Sequence, residues 1–427
     1  MRVTHISTHD LAGGAARAAY RLHQGLLIEG VDSVMFVARR DSGDPAITQF
    51  SAPMDLPHRA LRRLRRERIL RSAAHYRYSR PGGFELFSSD RVEHGGDPLA
   101  QLPGSDVVNM HWIASFVDYP AFFPAVAARA PIVWTLHDMN PFTGGCHYDD
   151  GCHRYVSGCG TCPQLGSRSP ADLSREIWQR KKRTFDRMDR SRLHVVAPSE
   201  WLAHAAAESP ILGQFPLSVI PCGLDTEEFA PRDQSVARDT LGIPQRATVL
   251  LFVADSLHTR RKGFALLVDA LNGLGELQDL FLLSMGEGES AAHVAVPHLH
   301  LKHVSNDRFL SLIYSAADLL VIPSLQDNFP NTILESFACG LPVVGFDVGG
   351  IPDLVRPGLT GALAPPGDTG MLRAVIRDLA AQPGKRRAMA ANCRRTAVED
   401  YSLRAQAKRY SDLYEGMLEA CAAPGPA

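Results

Sequence analysis

The stretch Ala317-Asp318-Leu319-Leu320-Val321-Ile322-Pro323-Ser324-Leu325-Gln326-Asp327-Asn328-Phe329-Pro330-Asn331-Thr332-Ile333-Leu334-Glu335, closed by Cys339-Gly340-Leu341-Pro342-Val343-Val344-Gly345, decides the fold. Leu319 to Ile322 has the length and branching of a strand buried on both faces, and Pro323 ends it before a polar loop. A helix is expected next, capped by Asn331 or Thr332 and buried through Ile333, Leu334 and Phe337; Gly340 and Pro342 stop it before a second strand, Val343 to Phe346. Asp327 and Glu335 then sit at a strand's C-terminal edge, where ligands of open α/β sheets bind. Ionised carboxylates only accept hydrogen bonds, so the pair suits a ligand rich in hydroxyl donors, a sugar or a ribose. A helix N-terminus beside them favours phosphate. Sugar, ribose and phosphate together describe a nucleotide sugar.

Through these residues the sequence resembles the retaining GT-B glycosyltransferases of family 4, whose signature is an acidic residue, seven intervening residues and a Glu in this strand-loop-helix setting. Here it reads Asp327-Asn328-Phe329-Pro330-Asn331-Thr332-Ile333-Leu334-Glu335, with Asp327 one methylene shorter than the usual Glu. The resemblance implies an α/β fold of two Rossmann-like, doubly wound domains facing a central cleft. It also implies that Asp327 holds donor-sugar hydroxyls, Glu335 the ribose diol, and the residues between them the donor.

A chain of 427 residues has room for about two or three domains with large cores. A net charge of −1 and a pI near 7.0 argue against a general nucleic-acid binder. No apolar run reaches a membrane span, and Met1-Arg-Val-Thr-His-Ile-Ser7 does not read as a signal peptide, so a cytoplasmic protein is expected.

Val3 to Ile6 reads as a first strand, turning at Gly13-Gly14 into a helix. The glycine pair either makes a tight turn or lets amides approach phosphate; the family resemblance places it between donor diphosphate and acceptor. No Gly-x-Gly-x-x-Gly follows, which weakens a zinc-containing dehydrogenase, one of two alternative readings. The other is a non-catalytic sugar-nucleotide-binding scaffold. Ser33 to Ala38 is a second strand. Beyond it, Arg59 to Arg71 carries seven arginines beside an apolar stripe of Leu61, Leu64 and Ile69, and reads equally as a solvated helix face or as a basic helix on an anionic membrane. The resemblance tips this toward peripheral contact at the inner membrane face, because relatives work on lipid-linked acceptors. His111 and His137 end two further strands, and the resemblance implies that both face the donor sugar, with Asp138 as a supporting acceptor.

Residues 140–166 form a segment with six glycines and no apolar periodicity, so it needs another source of order. Cys146, Cys152, Cys159 and Cys162, separated by five, six and two residues, have the spacing of a tetrahedral structural zinc site; His147 or His153 substituting for one thiolate, disulfides, free thiols and an iron–sulfur cluster are alternatives. Similar insertions mark family 4 enzymes of bacterial exopolysaccharide assembly, of the colanic acid type.

Domain boundaries are expected at 1–216, 217–401 and 402–427, the last a helix returning to the first domain, followed by a low-complexity tail at 422–427. In the second domain Arg260, Arg261 and Lys262 fall between a strand and a helix, suited to neutralising a diphosphate, and Gly286 and Gly288 end the next strand near the expected base site. The resemblance implies a UDP or GDP sugar as donor, a glycan or lipid-linked oligosaccharide as acceptor, hexosyl transfer with retention, and no catalytic metal.

Overall fold

The computed structural model describes residues 1–274, 279–288 and 293–422. Two compact units result: Met1–Pro221 with the chain from Gln406 onward, and Cys222–Ala405. The tail beyond Ala422 lies outside the described residues.

The first unit holds a parallel seven-stranded sheet in the order β3-β2-β1-β4-β5-β6-β7. Its strands are β1 (Arg2–His9), β2 (Asp32–Arg39), β3 (Ile47–Gln49), β4 (Val107–Met110), β5 (Ile132–Thr135), β6 (Leu193–Ala197) and β7 (Leu217–Val219). Helices α1 (Gly14–Ile28), α2 (Leu56–Ala74), α3 (Tyr119–Ala127), α4 (Leu173–Phe185) and α5 (Glu200–Glu208) connect them. Alternation sorts the central strands into two faces. Ile6, Val108, Met110, Ile132 and Trp134 enter a large aromatic core with Phe122, Phe123 and Phe185, whereas Val3, Val107 and Val133 pack with Leu22, Leu26, Tyr410 and Tyr414. On that second face the next layer is polar: Thr135 Oγ1 donates to Asn109 (2.9 Å), and Asn109 Nδ2 donates to the Tyr414 hydroxyl (2.7 Å). This buried network, completed by the Tyr410 hydroxyl 2.9 Å from Thr135, ties the last helix to the sheet.

The second unit holds α6 (Gln234–Leu241), then β8 (Thr248–Ser256), α7 (Phe264–Asn272), β9 (Leu280–Glu287), β10 (His298–Leu301), α8 (Asp307–Ala316), β11 (Leu319–Ile322), α9 (Asn331–Ala338), β12 (Val343–Phe346), α10 (Ile351–Leu354), β13 (Gly361–Ala364), α11 (Thr369–Ala380) and α12 (Pro383–Asp400). Its six strands are parallel, in the order β10-β9-β8-β11-β12-β13. α13 (Leu403–Ala422) ends the described chain. Both units are Rossmann-like, and in each the strand order reverses beside the first strand of the unit, the geometry that leaves a ligand crevice at the C-terminal edge.

Several local expectations change. Helix α9 has Pro330 at its cap position and no side-chain cap from Asn331 or Thr332. The interdomain stretch carries α6, capped by Asp233. Helix α2 forms with none of its residues buried; Arg62 and Arg65 face the protein, bonding the carbonyls of Pro53 (2.8 Å) and His94 (3.0 Å), while Leu61 and Leu64 are 48% and 59% exposed. Leu61 and Leu64 therefore point outward, and Ile69 is half-buried.

The zinc expectation is corrected. All four cysteines are free thiols, and among the described residues no group of three or more His, Cys, Asp or Glu is arranged to hold a metal ion. His147, a possible stand-in ligand, is engaged elsewhere, as described below. Residues 140–166 are ordered instead by buried Phe142, Tyr155 and Leu165 and by side chains bonding their main chain. Asp149 accepts from the amides of Gly151 (3.2 Å) and His153 (3.0 Å), Asp172 from that of Cys162 (2.7 Å), and Arg175 reaches the carbonyl of Gly158 (2.9 Å). Lys181, fully buried on α4, donates to the carbonyls of Asn140 and Thr143. These bonds satisfy a glycine-rich main chain that forms only three single-turn 3-10 helices, at 140–142, 154–156 and 163–165.

Candidate functional site

Each unit presents polar side chains at the C-terminal edge of its sheet. In the first, β1, β4 and β5 are neighbours and set three histidines in a row. His5 Nδ1 lies 2.9 Å from His111 Nε2, and His111 Nδ1 lies 3.1 Å from His137 Nε2. Burial pushes all three below the ordinary imidazole value, His137 to about 4, so they are neutral at pH 7. Asp138, which follows them, is buried; burial would raise its carboxyl, but His147 Nδ1 at 2.5 Å, the amide of Asn140 at 2.8 Å and the Trp112 indole at 2.9 Å hold it below the usual range. His147 Nε2 in turn meets Ser88 Oγ at 2.8 Å. Gly13 and Gly14 are exposed at the start of α1, where Gly13 caps the helix without a side-chain hydrogen bond.

In the second unit the organising residue is Asp327. Its Oδ2 meets Lys262 Nζ at 2.7 Å and Arg261 at 3.3 Å, and accepts from Ser324 at 3.3 Å, while Oδ1 accepts from the Asn328 amide at 3.1 Å. Burial would push this carboxyl up; the Lys262 ammonium and the Arg261 guanidinium overcome it and hold it below its ordinary value. Arg261 also donates to the Gln326 carbonyl (2.7 Å), and the Leu325 amide returns a bond to the Arg261 carbonyl (2.7 Å). The loop after β8 and the loop after β11 are thus one structure. Gly263 makes that approach possible: its φ is 73°, and a Cβ there would stand 1.8 Å from the Pro323 carbonyl oxygen. Glu335, on α9 and 5% exposed, accepts from the Tyr314 hydroxyl at 2.9 Å. Asn328 and Phe329 are buried, Phe329 against the Tyr401 ring; Pro330 begins α9, and Asn331 and Thr332 are half-buried in its first turn. Arg260 is exposed. Gly286, near the end of β9, approaches Ala254 of β8, and Gly288, just past β9, approaches His258 in the loop after β8.

The structure therefore brings together Arg261, Lys262 and Asp327 in one unit, and His111 with His137 in the other. The cysteines stand apart as part of a folded loop. Sequence reasoning missed His5, Ser324 and Tyr314. Only for His5 was there a signal, a polar residue with the same parity as inward-facing Val3 in a buried strand.

Comparison with known proteins places the chain in a family. The sequence pattern of Glycosyltransferase Family 4 matches residues 12–228, and that of "Glycosyl transferases group 1" matches residues 247–382. The "Putative colanic acid biosynthesis glycosyl transferase WcaC" of Escherichia coli K12 is 26% identical over 81% of this chain and 82% of its own length. The D-inositol 3-phosphate glycosyltransferase of Mycobacterium sp. strain JLS is 32% identical over 36% of this chain and 37% of its own. Among solved structures, sucrose-phosphate synthase from Thermosynechococcus elongatus superposes with a TM-score of 0.66 at 20% identity, covering 98% of this chain and 100% of that one. Anabaena HepE in complex with UDP-glucose gives 0.59 at 15% identity, over 97% and 100%. The structural likeness establishes the GT-B fold, and the sequence match, which spans half of the chain, establishes more: the chain belongs to Glycosyltransferase Family 4.

Proposed function

We propose that this glycosyltransferase moves a hexose, with retention, from a UDP or GDP sugar to a glycan or lipid-linked oligosaccharide in cell-surface polysaccharide assembly. The observation that carries the proposal is the cation pair of Lys262 and Arg261 held on Asp327, in the loop after β11 at the C-terminal edge of the second sheet, with Glu335 on the helix that follows. In this reading the unit from 222 to 405 binds the donor and the first unit addresses the acceptor. As the bond between the anomeric carbon and the phosphate oxygen breaks, negative charge grows on the departing diphosphate, and Lys262 and Arg261, with Arg260 at the rim, stabilise it. Asp327 positions both cations and offers Oδ1 to a sugar hydroxyl; Glu335, oriented by Tyr314, takes the ribose diol. Residues 328–332 and Gly286 and Gly288 line the nucleotide, and Gly13 and Gly14 admit the diphosphate near the acceptor. His111 and His137 orient the transferred sugar. The leaving phosphate receives the acceptor proton, and Lys262 and Arg261 meet its charge in place of a metal.

Two similar proteins support the choice of substrates: HepE forms a complex with UDP-glucose, and the E. coli relative is named for colanic acid biosynthesis. A cytoplasmic location is part of the proposal, with α2 resting on the inner membrane face through exposed Leu61, Leu64 and arginines between Arg59 and Arg71. Among the described residues no helix is long and apolar enough to cross a membrane. Thermal unfolding of the purified protein with a panel of UDP, GDP and ADP sugars tests the donor. One sugar nucleotide at 100 times its dissociation constant adds about 2.7 kcal/mol of stability. No stabilisation by any of them contradicts the proposal.

A further inference from the structure

His5, His111 and His137 form a directional row. Adjacent rings lie 5.2 and 5.4 Å apart, tilted by 31° and 36°, and each junction joins an Nδ1 to an Nε2. A neutral imidazole has one N–H and one lone pair, so only two arrangements satisfy both junctions. In one, His5 donates from Nδ1 to His111, and His111 donates from Nδ1 to His137, which must then carry its own proton on Nδ1. In the other every bond runs backward, and His5 carries its proton on Nε2. That nitrogen decides the direction, because it is buried and has no hydrogen-bond partner. The first arrangement leaves an unused lone pair there and the second an orphaned N–H. Buried orphan donors are the rarer and costlier of the two.

We infer that His5 is a positioning residue: through His111 it holds His137 in the Nδ1–H tautomer, so that a hydrogen-bond donor and not a lone pair stands at the half-buried end of the row. Among the described residues the nearest acids hydrogen-bond elsewhere, while the Asp138 charge acts on His137. Asp138 is committed to His147 and Trp112, and His23, whose ring centre is 6.1 Å from that of His5, points Nδ1 at Ser33 (2.7 Å) and lies 3.8 Å from Asp44 through Nε2. The consequence for turnover rests on the reading above that His137 faces the transferred sugar.

Two-bond proton–nitrogen correlation spectra of the histidine-labelled full chain distinguish the tautomers, with His137→Gln identifying the signals. At neutral pH the wild type is expected to show His137 protonated on Nδ1. His5→Leu removes the donor, and the Nδ1–H form of His137 is expected to lose its dominance. His5→Asn, whose side-chain amide occupies the place of Nδ1, is expected to restore it. In turnover, His5→Leu is expected to lower kcat about tenfold, the equivalent of one hydrogen bond, with the donor KM unchanged, and His5→Asn to recover most of it. A wild-type His137 protonated on Nε2, or a His137 tautomer unaffected in His5→Leu, overturns the inference; the wild-type and Asn spectra decide it even where the Leu variant fails to fold. Tautomers that follow this pattern with turnover unmoved leave the row intact and refute instead the sugar-facing role of His137.

Discussion

Lys262→Met and Asp327→Asn, singly and together, probe the cluster on which the donor site is built. The pair is separated by 2.7 Å, with the lysine side chain 20% exposed and the aspartate 6%. At an effective dielectric near 20 the gross attraction is about 6 kcal/mol, most of it offset by the desolvation of both groups. Lys262→Met keeps the aliphatic stem and removes the charge. Asp327 then retains only Arg261, 3.3 Å away, and the hydrogen bonds from Ser324 and the Asn328 amide. A complete orphaning costs about 3 to 5 kcal/mol; with Arg261 remaining we expect about 2 kcal/mol. Asp327→Asn removes the carboxylate between two neighbouring cations and costs a similar amount, and the double variant recovers about 1 to 2 kcal/mol of the sum. The assay follows from the sequence: all four tryptophans, Trp112, Trp134, Trp178 and Trp201, lie in the first unit. Loss of helix signal in urea without a change in tryptophan fluorescence therefore reports the second unit. Lys262→Met is also expected to lower turnover about 100-fold, the scale of one preorganised charge at a reacting phosphate. A coupling energy within about 0.5 kcal/mol of zero, with turnover unchanged, refutes the reasoning.

Three further outcomes are expected. Gly263→Ala puts a Cβ 1.8 Å from the Pro323 carbonyl at a φ of 73°, so it should cost more than about 2 kcal/mol by urea unfolding of the second unit and abolish donor binding. His137 binds its proton only near pH 4 when folded but near 6.5 when unfolded, so the unfolded chain takes up protons first as pH falls. Stability of the first unit, followed by tryptophan fluorescence, should hold above pH 6.5 and drop toward pH 4, with about 3 kcal/mol from this residue; a flat profile contradicts its burial as a neutral ring. Replacing exposed Arg59, Arg63 and Arg68 with Gln removes about 1 kcal/mol of membrane attraction each, so sedimentation with anionic vesicles should weaken about 100-fold; equal binding to neutral vesicles contradicts the role given to α2.

What was legible in the sequence was what depends on short-range pattern. The run Leu319 to Ile322 and the helix carrying Ile333, Leu334 and Phe337 are recoverable because burial on both faces forces apolar continuity. Helix α12 escaped notice because its buried face is Met389, Cys393, Thr396 and Ala397, small or polar side chains that give periodicity little to register. The carboxylate spacing located Asp327, yet only the structure reveals that Lys262 and Arg261, some 65 residues away in sequence, occupy its Oδ2. His5 fails for the same reason, since its meaning depends on a neighbour 106 residues on. The cysteine segment runs in the opposite sense: its spacing suits zinc, whereas Asp149, Asp172, Arg175 and Lys181, on or beyond the loop, order it through main-chain bonds that leave no periodic trace.

The most direct test is release of the nucleoside diphosphate from whichever sugar nucleotide stabilises the protein, measured with and without a lipid-linked oligosaccharide acceptor, for the wild type and for Glu335→Gln. Acceptor-dependent release by the wild type, reduced about 100-fold or more in Glu335→Gln, is the predicted result. Release that is independent of the acceptor, or equal in the two proteins, contradicts a donor site built on Glu335 and Asp327.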